Sequence, residues 1–86
     1  MTNNANIVKS YLHYDELTSN GVPFTRMAIV WVFEEGVDHD YPNQGRGMLS
    51  ESEVSSGLDE LVKCGSVQHL GGDTYRLART ITITPV

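Results

Sequence analysis

The chain has 86 residues, 40% of them hydrophobic and 20% charged, which gives room for one small soluble domain and no second one. Six Lys and Arg against eleven Asp and Glu leave a net charge of −5, which argues against a protein that holds polyanions through its overall field. A lone cysteine, Cys64, excludes an internal disulfide, so stability must come from a single modest core.

The start, Met1 to Asn6, is polar and uncharged, unlike the basic start of a secretory leader. The longest apolar run, Met27 to Phe33, is far shorter than the ~20 residues needed to cross a bilayer. A cytoplasmic protein without membrane contact is therefore the default expectation. Asn4 to Asn20 reads as a first helix, with Ile7, Val8, Tyr11, Leu12 and Leu17 at helical spacing. Asn4 or Asn6 can cap its start, and Asn20-Gly21 is a usual stop.

Thr25 to Glu35 supports two readings. The β-branched and aromatic run Ile29, Val30, Trp31, Val32 and Phe33 favours a buried strand by propensity. A helix capped by Thr25 and stopped at Gly36 is the preferred alternative, with Trp31 in the core. Val37 to Gly47 holds Asp38, Asp40, Pro42, Asn43, Gly45 and Gly47, which predicts a loop. Ser50 to Cys64 is the clearest element. Val54, Leu58, Leu61 and Val62 form one apolar stripe, and Ser50 with Glu53 makes a capping box. Gly65 should stop this helix, and Gly57 inside it marks close packing to another element. Val67 to Leu70 and Thr74 to Leu77 then flank Gly71-Gly72-Asp73 as a hairpin. Thr80 to Thr84 alternates as a half-buried strand, suited to edge pairing in a homodimer.

Leu49 to Leu77 resembles the second half of a winged helix-turn-helix domain. The resemblance is carried by Val54, Leu58, Leu61, Val62 and Gly65, then Val67, Gly71-Gly72-Asp73 and Thr74-Tyr75-Arg76-Leu77. It implies an α+β fold of winged-helix type across residues 1–86, with two or three helices, a small antiparallel sheet and a C-terminal wing hairpin. The family's short second helix is not evident, because its slot holds the turn formers of Val37 to Gly47. Ordinary major-groove docking is thereby put in question.

The resemblance implies a DNA-binding regulator of transcription. Ser52, Ser56 and Lys63 would face the groove, and Arg76 and Arg79 would hold phosphates beside it. Arg46 in the loop could add to that side. The residue types argue less strongly. The outward face of the helix offers Ser52, Ser56, Asp59, Glu60 and Lys63, a composition usual for a solvated surface. The alternative is a protein-binding adaptor or inhibitor whose acids, Glu34, Glu35, Asp38 and Asp40 among them, attract a basic partner. Small acidic phage inhibitors, some anti-CRISPR proteins included, act on nucleic-acid machinery in this manner.

No catalytic constellation is legible. His13, His39, His69 and Cys64 lack metal-ligand spacing, and Cys64 near His69 has no third group to orient a base. Cys64 reads as a small buried hydrophobe. Asn43-Gln44-Gly45-Arg46-Gly47 lacks the Gly-Lys-Ser/Thr ending of a phosphate loop. The expectation is a non-enzymatic binding protein without cofactor or metal.

Overall fold

The computed structural model describes residues 2–35 and 49–78. Helix α1, Asn3–Tyr14, starts on neither asparagine. Thr2 is its cap, with Oγ1 accepting from the Ala5 amide at 3.3 Å. Ala5, Val8, Tyr11 and Leu12 form its buried stripe. The long first helix expected from the sequence breaks at Asp15, whose backbone is extended (φ −69°, ψ 132°). Its carboxylate accepts from the amides of Leu17 and Thr18 at 3.1 and 3.0 Å and starts a short helix α2, Glu16–Ser19. Asp gains more as a cap than inside a helix, so the periodicity running through it was misleading. Leu17, expected on the apolar stripe, is 63% exposed as a result. The Asn20-Gly21 stop is present, with Gly21 at φ +86°.

Strand β1, Phe24–Thr25, leads directly into helix α3, Arg26–Glu35. The helical reading of this stretch is the one found. The Thr25 hydroxyl accepts from the Ala28 amide at 3.1 Å, and Ile29, Val30, Val32 and Phe33 turn inward. An alternating strand could not bury Ile29-Val30 and Val32-Phe33 on one side. A helix does, and that burial outweighs β propensity. The same geometry turns Trp31 outward. It is 56% exposed, so its expected place in the core is corrected.

Helix α4, Glu51–Lys63, carries the predicted capping box. Glu53 N–H donates to Ser50 Oγ at 3.3 Å, and Ser50 N–H donates to Glu53 Oε1 at 2.8 Å. Val54, Gly57, Leu58 and Leu61 are its buried face. A Cβ on Gly57 would lie 3.2 Å from the carbonyl carbon and oxygen of Asn4 and 3.3 Å from the Ala5 nitrogen. Gly57 is therefore where α4 touches the first turn of α1, as expected. The helix ends in a Schellman motif: Ser66 N–H donates to Leu61 O at 2.9 Å and Gly65 N–H to Val62 O at 3.1 Å, with Gly65 at φ +85°. Cys64 is exposed, not buried, because this cap turns it away from the stripe.

Strands β2, Val67–Gly71, and β3, Thr74–Leu77, form the hairpin, and the antiparallel sheet runs β1-β3-β2. Phe24 pairs with Tyr75, and Tyr75 with His69. Their rings stack across all three strands, with centroids 6.1 and 4.8 Å apart. Helices and sheet share one core, in which Phe33, Leu12, Ile29, Leu58 and Leu61 are fully buried and Tyr11 meets Phe33 edge-to-face at 5.8 Å.

The described residues form an α+β arrangement of four helices and a small three-stranded antiparallel sheet, compatible with a winged-helix-like fold. Helix α3 lies between β1 and α4, ahead of the Val37 to Gly47 stretch. That stretch and the strand expected at Thr80 to Thr84 both lie outside the described residues. Among the described residues no helix is long and apolar enough to cross a membrane.

Candidate interaction face on helix α4

The apolar stripe of α4 fixes what its other side presents. With Val54, Leu58 and Leu61 buried, Ser52, Ser56, Asp59 and Lys63 are exposed, as the helical wheel predicts, and Ser55 and Glu60 are half-buried. Glu51, Ser52, Ser55, Ser56, Asp59, Glu60 and Lys63 line one continuous shallow depression of about 820 Å³. Helix α4 carries four carboxylates against the single ammonium of Lys63. Glu51 and Glu53 in its first turn and Lys63 in its last suit the helix dipole, which is one local reason for this distribution.

Several of these groups already have partners. Glu60 Oε2 accepts from the Thr2 amide at 2.6 Å and so ties α4 to the N-terminus of α1. Arg26, at the start of α3, sits between α4 and the hairpin tip. Its Nη1 donates to Glu51 Oε2 at 3.2 Å and to Ser55 Oγ at 3.1 Å, and its Nε donates to Asp73 Oδ1 at 3.1 Å. The Arg26 amide also donates to Asp73 O at 3.0 Å. The two carboxylates, Glu51 first, raise the guanidinium further above its ordinary value. Among the described residues, Arg26 approaches the α4 depression from another element and is already paired with Glu51 and Asp73. Sequence reasoning did not single out Arg26. The signal available was an arginine immediately after a strand, which spacing alone does not pair with residues 25 and 47 positions away.

Arg76 is exposed on the hairpin, where its Nε donates to Gln68 Oε1 at 2.7 Å. The neighbouring cross-strand position is taken by His69, whose Nε2 lies 2.7 Å from Gly72 O. A carbonyl can only accept, so this nitrogen carries a proton. Arg79 and Arg46 lie outside the described residues, as do Asp38 and Asp40 and the side chain of Glu35, while Glu34 is exposed. Ser52, Ser56 and Lys63 thus share one helix face, with Arg76 on the separate hairpin.

Two further groups have shifted proton affinities. The Cys64 thiol is pulled below its ordinary value by the Ser66 hydroxyl, 3.3 Å away, with smaller help from the Ser66 amide and the charge of Lys9. Burial raises the Tyr75 phenol, and the charges of Asp59 and Asp73 raise it further. Among the described residues no three His, Cys, Asp or Glu side chains group closely enough to hold a metal ion. Comparison of the chain with protein-family models, with curated proteins and with solved structures finds no match.

Proposed function

We propose that this chain is a non-catalytic binding domain on a winged-helix scaffold, and that the exposed face of α4 receives a basic partner protein. The observation that carries this reading is the charge of the face. Glu51, Asp59 and Glu60 line it with Lys63, and because Arg26 pairs with Glu51 and Asp73, the acids in excess are Asp59 and Glu60. A phosphate brought to about 4 Å from one of these carboxylates meets a repulsion of about 1 kcal/mol even in bulk water, and Lys63 offsets only one such contact. A partner bearing Lys or Arg meets the opposite sign, which speeds encounter and fixes register.

Duplex DNA is the second reading. What favours it is the order of α4, then strand β2, a glycine-rich tip and strand β3, which the winged-helix resemblance implies. Arg76 on the hairpin would serve as a phosphate contact.

A decalysine peptide tests the first reading. Titrated into the 15N-labelled protein at low salt, it should shift the amides of Ser52, Ser56 and Asp59. Charge reversal by D59K should weaken it. An unchanged α4 spectrum, with shifts confined elsewhere, would overturn the assignment of this face.

A further inference from the structure

Glu51 and Ser55 stand one turn apart on α4, and both line the depression on its exposed face. The chain already presents a cation to this pair. Arg26 Nη1 donates to Glu51 Oε2 at 3.2 Å and to Ser55 Oγ at 3.1 Å. The same guanidinium reaches the hairpin tip through Nε, which donates to Asp73 Oδ1 at 3.1 Å, and the Arg26 amide donates to Asp73 O at 3.0 Å. Arg26 is thus anchored twice. On α4 it is held by one side-chain nitrogen, and on the hairpin by side chain and backbone together.

The two anchors differ in how readily they exchange. The Glu51 side chain is 56% exposed, and an ion pair this open to water contributes little, because both groups are well solvated when apart. A cation arriving from solvent can therefore take Glu51 and Ser55 while the backbone bond and Nε keep Arg26 on Asp73. The chemistry of the place also selects the newcomer. A guanidinium presents its N–H donors in a rigid planar fork, and here one of its nitrogens serves a carboxylate and a hydroxyl together. A Lys ammonium is a strongly hydrated point charge without that fork. We infer, on the reading of the α4 face proposed above, that Arg26 is a resident competitor there and that an arginine of the basic partner displaces it from Glu51 and Ser55. Arg26 then acts as an internal brake on binding, and arginine is the residue type the face selects.

Decaarginine and decalysine peptides, titrated into the 15N-labelled protein at low salt, provide the test. Decaarginine should shift the amides of Ser52, Ser55 and Ser56 and bind more tightly than decalysine, and E51Q should shrink that preference. R26M removes the competitor and should tighten decaarginine binding by about threefold or more. R76M removes the same charge from the hairpin, where Arg76 bonds Gln68, and should tighten it less. R26K keeps the net charge but lacks the fork, so it should tighten binding too, by less than R26M. In an E51Q background R26M should change the affinity no more than R76M does. Equal tightening by R26M and R76M would overturn the competition while leaving α4 as the site, since net charge alone would then be read. Equal binding of the two peptides would do the same, as would R26K and R26M both matching the wild type. Amides of α4 that stay still with both peptides would overturn the reading of the face itself and the competition with it.

Discussion

Replacing Gly57 by alanine sets two effects against each other in one methyl group. Within a helix the exchange gains about 1 kcal/mol from propensity. Here the added Cβ meets the Asn4 carbonyl carbon and oxygen at 3.2 Å and the Ala5 nitrogen at 3.3 Å, all backbone atoms that cannot rotate away. The first turn of α1 is pinned by the Thr2 cap and by the 2.6 Å bond from the Thr2 amide to Glu60, so it yields only if those bonds are disturbed. Overpacking of this kind costs about 1–3 kcal/mol, so the net change is a loss of about 0–2 kcal/mol. Ser56, one residue earlier and exposed, is the internal control: S56A gains up to about 0.7 kcal/mol and meets no such contact. Thermal unfolding separates the two variants, at about 4–8 °C per kcal/mol for a domain of this size. S56A should raise Tm and G57A should lower it or leave it unchanged. A G57A protein more stable than S56A would refute the close approach of α4 to α1.

S50A removes one arm of the capping box and should cost about 1 kcal/mol in chemical denaturation, with E53A no worse than additive to it. R26M should lower Tm at low salt and lose part of that effect in 1 M salt, where the Debye length is about 3 Å, because the pairs with Glu51 and Asp73 are partly exposed. Tyr75 has a folded-state pKa above the unfolded value of about 10, so the unfolded chain releases this proton first. Stability should therefore fall as pH rises above about 10, and Y75F should flatten that fall in pH-dependent denaturation.

Legibility differed by the range of the forces involved. Helix α4 was readable throughout, since its capping box, apolar stripe and glycine stop are contacts within one segment. The hairpin was readable for the same reason, through Gly71 at φ +114° and Gly72 at φ +56°. Asp15 was missed because a continuous period ran past a residue whose side chain competes for its own backbone. Trp31 was misplaced because hydrophobicity says that a side chain can be buried, while the angle around α3 decides whether it is. On the candidate face, Ser52, Ser56, Asp59 and Lys63 followed from the wheel. The neutralisation of Arg26 did not, because it joins three elements distant in sequence. That pairing is one reason we propose a basic protein partner ahead of the DNA that the resemblance implies.

Fluorescence anisotropy of a labelled DNA duplex, titrated with the protein as salt is varied, tests that preference most directly. With α4 acidic and Arg26 already paired, anisotropy should stay flat at low salt as well as at physiological salt. Saturable binding would contradict the account if log K fell with log salt at a slope of about −3 to −4 and R76A reduced that slope by about one.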